Sequence, residues 1–158
     1  MSTEVYLRDV IDSDLPIFFE QQLDPDANYM AAFTAEDPRD RTAFDAHWYR
    51  IRRDNAVIIK TIVCDEQVAG NIVSYEHLGE REVGYWIGKP FWGRGIASRA
   101  LALFLRELTA RPLHARAAKD NVGSLRVLEK CGFVRYGEDT GYSSARGGDV
   151  EEYLLKLE

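Results

Sequence analysis

The sequence predicts a single domain of the mixed α/β (α+β) class, with helices packed on the faces of a mostly antiparallel sheet. The chain has 158 residues, the usual size of one domain, so residues 1-158 are expected to fold around one core. Hydrophobic residues make up 46% and charged residues 29%, a balance typical of soluble globular proteins. Three strand-like segments in succession, followed by a strongly amphipathic helix, predict the mixed class.

The N-terminal third predicts one strand and two helices. Residues Val5–Val10 are strand-like, and Asp12–Asp14 marks a helix start with Pro16 tolerated in the first turn. Residues 24–40 are rich in Pro, Asp and Asn and have little periodicity, which predicts a loop or short helical turns. A second helix follows, because residues 44–51 carry apolar side chains at three-and-four spacing.

The remaining chain predicts the meander and then alternating helices and strands. The strands of the meander are residues 56–64, 68–75 and 81–87, and an amphipathic helix then occupies residues 97–108. Next come a strand at 113–118, a helix at 122–131 ended by Gly132 in the left-handed conformation, and closing strands at 133–136 and 150–157 around a Gly/Ser-rich excursion at 141–148. The predicted order is β-α-α-β-β-β-α-β-α-β-β.

The composition argues against several functional classes. The formal net charge is −6, and an acidic surface repels phosphate backbones, so no nucleic-acid partner is expected. No apolar run is long enough to cross a bilayer, and the first residues lack a signal-peptide pattern, so no membrane partner is expected either. With only two cysteines, Cys64 and Cys131, the cytoplasm is the predicted location. The cysteines form no CxxC pair and the three histidines are scattered, so no metal site is expected.

A glycine-containing loop between the third meander strand and the long helix is the first candidate site. Gly93 and Gly95 lie just before the helix, where backbone N–H groups and the helix dipole favour an anion. A pyrophosphate would suit this position, and Arg94 would add a charge-assisted contact. Taken alone, the two glycines favour a tight turn that needs positive φ over a phosphate site. The loop lacks the Gly-Lys-Ser/Thr of a Walker motif, and its strand lies in an antiparallel meander, unlike a dinucleotide fingerprint.

A second motif runs from Asn121 to Phe133 and reads NVGSLRVLEKCGF. In this order, the loop and the second motif resemble the GNAT superfamily of acyl-CoA-dependent N-acetyltransferases. The loop is similar to the pyrophosphate loop Q/R-x-x-G-x-G/A, with Gly95 and Ala97 at its last two anchor positions and Trp92 where Gln or Arg is common. The second motif matches the N-x-x-S-x-R-V-L-E-K-x-G-F signature of the branch containing the ribosomal-protein N-terminal acetyltransferases. The strong resemblance covers residues 82–133.

The resemblance implies a GNAT-like sheet and acetyl-CoA as co-substrate. In that family the strand before the loop splays from its neighbour, which would set the main chain of Tyr85, Trp86 and Ile87 against the pantetheine arm. The pyrophosphate would lie on Trp92, Gly93, Arg94, Gly95, Ile96, Ala97 and Ser98. Asn121 would hydrogen-bond the amide chain of the cofactor, with Ser124 close by, although an isolated Asn there would be only a helix N-cap. The indoles of Trp86 and Trp92 are expected to be packing groups.

Glu82 is the predicted general base, acting through a water on the acceptor amine. Strand alternation places it on the face of Trp86, and several family members carry a base or an amine-binding glutamate at this position. The alternative is a solvated strand charge beside Arg81. The other candidates for the base are Glu80 and His77.

Two further expectations concern the chemistry of transfer. Backbone N–H groups of Tyr85 to Ile87 would polarise the thioester carbonyl. Many relatives have a Tyr in the second motif that acts as general acid toward the departing thiolate. This chain has Leu128 at that position, so Tyr136 and Tyr142 are the other candidates for the acid. A CoA thiol has a pKa of about 8.5 and leaves readily without an acid.

The acceptor stays open between a protein N-terminus and a small cationic amine. Family resemblance places the acceptor wall at residues 24–48 and 141–148, whose acidic side chains suit cations. A non-catalytic acyl-CoA sensor is the alternative, supported by the missing Tyr. A homodimer is compatible with the family, but no decisive apolar surface is visible in the sequence.

Overall fold

The computed structural model describes residues 4–158, which form a seven-stranded mixed sheet with helices on both faces. The strands are β1 (Val5–Arg8), β2 (Ile58–Cys64), β3 (Gln67–His77), β4 (Glu80–Ile87), β5 (Leu113–Ala118), β6 (Val134–Ser143) and β7 (Gly148–Leu157). The helices are α1 (Leu15–Gln22), α2 (Pro25–Ala31), α3 (Arg41–Arg53), α4 (Ile96–Glu107) and α5 (Val122–Lys130), with 3₁₀ turns at Asp12–Asp14 and Lys89–Phe91. Among these helices, none has the length and apolar character needed to cross a membrane.

The sheet is antiparallel except at its centre, which confirms the predicted class. Its strand order is β1-β2-β3-β4-β5-β7-β6. The central strands β4 and β5 run parallel and share a single residue pair, Glu82 with His114. Residues 83–87 and 115–118 beyond that pair have no cross-strand partner in the β4–β5 ladder. The predicted splay of the strand before the glycine loop is therefore confirmed.

The main core lies between the sheet and the two helices α4 and α5. The fully buried side chains of α4 recur at the spacing of an amphipathic helix, and those of α5 complete the same layer. These core residues of the two helices are Ile96, Ala100, Leu101, Phe104, Leu125 and Leu128. A separate aromatic cluster of Phe18, Phe44 and Trp48 joins α1 to α3. Ile59 packs there while Ile62 packs in the main core, as strand alternation requires for opposite faces.

Two predicted boundaries were wrong, and of the two alternatives for residues 24–40 the structure has the short helix. The first strand ends at Arg8, and the segment 24–40 contains the helix α2, so the order gains a third helix before β2. Asp24 caps that helix by accepting a hydrogen bond from the Ala27 N–H at 3.0 Å, with Pro25 at the first helical position. Half of the Gly/Ser-rich excursion is strand, because the pairing of β6 with β7 leaves only residues 144–147 as a turn. Gly132 follows α5 with φ of 97°, as predicted.

Candidate active site

The separation of β4 from β5 opens a cavity of about 920 Å³. Its walls are the diverging ends of these two strands, the glycine loop, the first turn of α4 and one face of α5. Residues of α2 and β6 close the opposite side, where Met30 and Gly141 line the cavity. This volume lies within the range of small-molecule binding sites.

Twelve of the thirteen predicted site residues line this one cavity. They are Glu82, Tyr85, Trp86, Ile87, Trp92, Gly93, Gly95, Ile96, Ala97, Ser98, Asn121 and Ser124. Arg94 is the exception: its Nη2 lies 3.3 Å from the Asp65 carboxylate, and its guanidinium lies 5.8 Å from the centre of the Phe91 ring.

The glycine loop is both a tight turn with positive φ and an open surface suited to an anion. Gly93 and Gly95 have φ of 75° and 73°, so each occupies the left-handed region that favours glycine. A Cβ built at either glycine would meet no atom within 4 Å, so the space beside the loop is open. Because α4 begins at Ile96, its N-terminal N–H groups border the same open space. This arrangement is suited to an anion.

The two indoles differ from the packing role predicted for them. Trp92 is 40% exposed, so its indole is not packed in the core. Its Nε1 donates a hydrogen bond to the Ile87 carbonyl at 2.8 Å, which fixes the loop against the end of β4. Trp86 is partly buried, and its Nε1 is a buried donor without an acceptor among the described residues. Trp86 also borders a second cavity of about 400 Å³ against α1 and α3.

Asn121 connects α5 to the helix across the cavity. Its Oδ1 accepts a hydrogen bond from the Ser124 N–H at 3.2 Å, so it is an N-cap of α5. Its Nδ2 donates to the Met30 carbonyl at 3.2 Å, so the side-chain amide already has a protein partner. Ser124 Oγ lies 2.8 Å from the Tyr85 hydroxyl. Burial, partly offset by this hydrogen bond, raises the pKa of Tyr85 to about 12.

Arg146 holds α2 over the cavity from the turn between β6 and β7. Its guanidinium makes two hydrogen bonds to the Asp120 carboxylate at 2.7 and 2.8 Å. Its Nε donates to the Tyr29 carbonyl at 2.8 Å, and its guanidinium lies 4.3 Å from the centre of the Tyr29 ring. Ser143 donates a hydrogen bond to the Ala32 carbonyl. These contacts hold Met30 and Phe33 in place, and both residues line the cavity.

Glu82 lies in a charged cluster that the sequence did not predict. It is 4% exposed, so the interpretation as a solvated strand charge is wrong. Its Oε1 lies 3.5 Å from Arg116 Nε, and Arg116 Nη1 lies 2.9 Å from Glu152 Oε1 and 3.3 Å from Asp139 Oδ2. One guanidinium thus faces carboxylates from three strands, β4, β7 and β6. Strand alternation places Glu152 on the face of Val150, opposite to Leu155 in the main core, and apolar residues on both faces leave its burial without a sequence signal.

Burial perturbs two titratable groups beside Glu82. It raises the pKa of Glu152, an effect that the hydrogen bond from Arg116 only partly offsets. It also raises the pKa of Tyr75, which stands opposite Glu82 in the β3–β4 ladder, and the charge of Glu82 raises it further. Raised carboxyl pKa values are typical of groups that exchange protons near neutral pH.

The other residues considered for catalysis are scattered. His77 lines the cavity, as does Tyr142, which is 67% exposed. Glu80 and Tyr136 both lie outside it against His114: Glu80 Oε2 is 3.5 Å and the Tyr136 hydroxyl 3.2 Å from His114 Nδ1. Leu128 is buried in the core and borders the cavity. Within residues 4–158 no group of three or more His, Cys, Asp or Glu side chains is arranged to hold a metal ion.

Comparison with known proteins assigns the family. A family model described as acetyltransferase (GNAT) domain matches residues 4–134. The chain belongs to this family. The match includes every predicted site residue and confirms the GNAT family predicted from the two motifs.

Individual relatives agree with the GNAT assignment. The uncharacterized N-acetyltransferase p20 of Bacillus licheniformis is 28% identical over 91 residues, which are 55% of this chain and 51% of p20. The match therefore spans about half the length of that relative. RimJ of Mycobacterium smegmatis, solved in complex with CoA-disulfide, has a TM-score of 0.82 at 22% identity, covering 97% of this chain and 81% of RimJ. Spermidine N-acetyltransferase of Vibrio cholerae, solved with CoA and spermine, has a TM-score of 0.82 at 16% identity, covering 97% of this chain and 94% of the spermidine enzyme. Both structures share the GNAT fold.

Proposed function

We propose that this protein is an N-acetyltransferase that transfers an acetyl group from acetyl-CoA to a primary amine, with Glu82 as the general base. The observation that carries the proposal is the position of one buried carboxylate. Glu82 stands where β4 and β5 separate, and it lines the same cavity as the glycine loop. A base and an anion cradle therefore face the same cavity.

The residues present fit acetyl-CoA, which supplies the acetyl group as a thioester. The open backbone from Gly93 to Ser98 at the start of α4 would receive the pyrophosphate. The main chain of Tyr85, Trp86 and Ile87, which has no ladder partner on the β5 side, would receive the pantetheine arm and polarise the thioester carbonyl. Asn121 keeps one N–H and one lone pair beyond its bonds to Met30 and Ser124, and these would contact the amide chain.

Glu82 would remove the proton that prevents the amine from attacking. An alkylammonium has a pKa of about 10, so near neutral pH it needs a base. One ammonium proton passes to Glu82, through a water or directly. The nitrogen then bonds the acetyl carbon as the carbon–sulfur bond breaks, and the second proton that leaves the nitrogen ends on the CoA sulfur. Leu128 offers no proton, so departure of the sulfur would depend on the ordinary acidity of a thiol, with a pKa of about 8.5.

Replacing Glu82 by Gln tests this function. The variant keeps the side-chain shape but cannot take a proton, so kcat should fall by about 100-fold or more while the Kd for acetyl-CoA stays unchanged. Glu76→Gln is the control, because Glu76 is an exposed residue on the adjacent strand whose carboxylate lies 3.7 Å from Arg81. Steady-state kinetics with a panel of amines and calorimetry with acetyl-CoA are the measurements.

Two results would contradict the proposal. Unchanged turnover in Glu82→Gln would remove Glu82 as the base. Binding of acetyl-CoA by the wild type without turnover on any amine would instead indicate the acyl-CoA sensor.

A further inference from the structure

Two buried carboxylates in the cavity share one guanidinium. Glu82 and Glu152 are 4% and 5% exposed, and both line the cavity. Arg116 Nη1 hydrogen-bonds Glu152 Oε1 at 2.9 Å, whereas its Nε lies 3.5 Å from Glu82 Oε1. Glu152 is therefore the more tightly held carboxylate, and Glu82 the freer one.

The buried charges of this cluster do not balance. Two carboxylates face one arginine, which leaves one negative charge on side chains that are themselves nearly buried. Burying an uncompensated charge costs several kcal/mol, so either one carboxyl is protonated or a cation enters the cavity beside it. Glu82 lines the cavity, and its 3.5 Å contact with Arg116 is longer than an ordinary hydrogen bond. Burial raises the pKa of Glu152, in agreement with this shortage of positive charge.

The wall next to the carboxylates is apolar. The Phe33 ring lies over Gly141, since a Cβ built at Gly141 would be 3.2 Å from Phe33 Cε1. Gly141 lies two residues along β6 from Asp139, and Asp139 pairs with Glu152 across the β6–β7 ladder. Two residues of a strand span about 7 Å, so Gly141, which the Phe33 ring contacts, lies about 7 Å along β6 from the ladder partner of Glu152. Met30 of α2 also lines the cavity.

The cavity has few acidic side chains that could bind a second cation. Besides Glu82 and Glu152, Asp139 is the only acidic residue among the described residues that line it. The Asp139 side chain is 53% exposed and already lies 3.3 Å from Arg116, so water and Arg116 screen its charge. A polyamine would therefore place its remaining ammonium groups against apolar or weakly charged wall.

Resting on the acetyltransferase function above, we propose that Glu152 is a second acceptor-binding residue and that the acceptor is a primary monoamine carried on an apolar group. The ammonium is held between Glu82 and Glu152, and its carrier lies against Phe33 and Met30. Glu82, with the longer contact to Arg116, takes the proton. Glu152 keeps its bond to Arg116 and holds the nitrogen. Arg116 is a positioning residue that keeps both carboxylates turned into the cavity.

Substituting Glu152 by Gln separates binding from proton transfer. A charge-assisted hydrogen bond is lost, so the KM for the amine should rise by about 10-fold or more while kcat changes by less than about 3-fold. In Glu82→Gln, kcat should fall instead. The control is Glu151→Gln: Glu151 is the exposed neighbour on the other face of β7, and it lies 3.4 Å from Lys119. Glu152→Asp, which keeps the charge, should restore part of the affinity, and melting curves identify any variant that fails to fold.

The amines to be compared are phenethylamine, spermidine and a peptide amide that begins with methionine. Phenethylamine and the peptide both present one ammonium beside an apolar group, so their relative kcat/KM distinguishes a free amine from a protein N-terminus. Calorimetry of each amine with CoA-loaded protein measures acceptor affinity without turnover. Either monoamine should exceed spermidine in both measurements, and Glu152→Gln should weaken its binding by about 10-fold or more.

Several results would overturn the inference. Preference for spermidine, or unchanged KM and Kd in Glu152→Gln, would do so while leaving the acetyltransferase function intact. Loss of kcat in Glu152→Gln, with KM unchanged, would make Glu152 the base rather than a binding residue. Lack of turnover with every amine would overturn both the inference and the function on which it rests.

Discussion

Asp14 shows how a single buried acid connects three segments near the N-terminus. It is 1% exposed, and its carboxylate accepts two hydrogen bonds from Arg8 at 2.7 and 2.9 Å. The Ile11 N–H at 3.0 Å and the Thr61 hydroxyl at 2.7 Å complete the set, so β1, the 3₁₀ turn and β2 meet at one side chain. Burial by itself would raise the pKa of Asp14, but these hydrogen bonds, led by that of Arg8, lower it overall.

Asp14→Asn should therefore destabilise the fold by about 3 kcal/mol at neutral pH, because Arg8 loses its buried partner. A folded-state pKa below the unfolded value means that this stability is present above about pH 4 and is lost as the pH falls through the folded pKa. Urea unfolding of both proteins at several pH values should show a constant difference from about pH 5 to 8 and a shrinking one at lower pH.

Asp12→Asn is the matched control for that measurement. The Asp12 side chain is 93% exposed and pairs with Arg52 at 2.8 Å, so its loss should change stability by at most about 1 kcal/mol. Equal effects of the two substitutions would contradict the role given to Asp14. The sequence predicted Asp12–Asp14 as a helix start, but it could not distinguish the buried acid from the exposed one, since that depends on the approach of β2.

At the scale of elements, the proposed cofactor site depends on how closely β3 and β4 approach. Gly70 of β3 pairs with Ile87 of β4, and a Cβ built at Gly70 would lie 1.9 Å from the Trp86 carbonyl oxygen. That oxygen belongs to the backbone, so it cannot move aside as a flexible side chain would. Glycine is thus required at position 70 for the end of β4 to hold its course beside the cavity.

Gly70→Ala should displace the end of β4, which carries the main chain proposed to bind the pantetheine arm. We expect a lower melting temperature and a higher Kd for acetyl-CoA in calorimetry, since the clash between the new Cβ and the Trp86 carbonyl lies at the proposed site itself. Gly148→Ala is the control, because Gly148 begins β7 without positive φ and a Cβ there would meet nothing within 4 Å. Unaltered stability and affinity in Gly70→Ala would show that the β3–β4 approach is less constrained than the structure indicates.

The order of the long elements was predictable, because each carries its own period of apolar residues. The short helix α2 was predicted only as an alternative to a loop, although Asp24 and Pro25 form a recognisable N-terminus, because seven residues hold too little periodicity. The far part of β6 was missed. Its Gly137 and Gly141 suggest a loop locally, and pairing with β7 overrides that preference.

At the scale of the whole molecule, the cavity exists because the sheet divides into two parts. Strands β1 to β4 and strands β5 to β7 meet at one residue pair, while α4 and α5 cover the division from the core side. The two motifs on either side of this division could be recognised in the sequence. The meeting of Glu82, Arg116 and Glu152 could not, since these residues come from three strands that only the folded sheet brings together.

Calorimetric titration of the purified protein with acetyl-CoA tests the central claim most directly. The wild type should bind saturably with micromolar affinity, whereas Gly95→Glu should not bind, because a negative side chain would occupy the proposed pyrophosphate site. Gly79→Glu is the matched control: Gly79 has φ of 80° and equally open surroundings, but it lies in the turn between β3 and β4, away from the loop. If the wild type gave no binding, or if Gly95→Glu bound as tightly as Gly79→Glu, the glycine loop would not be the cofactor site.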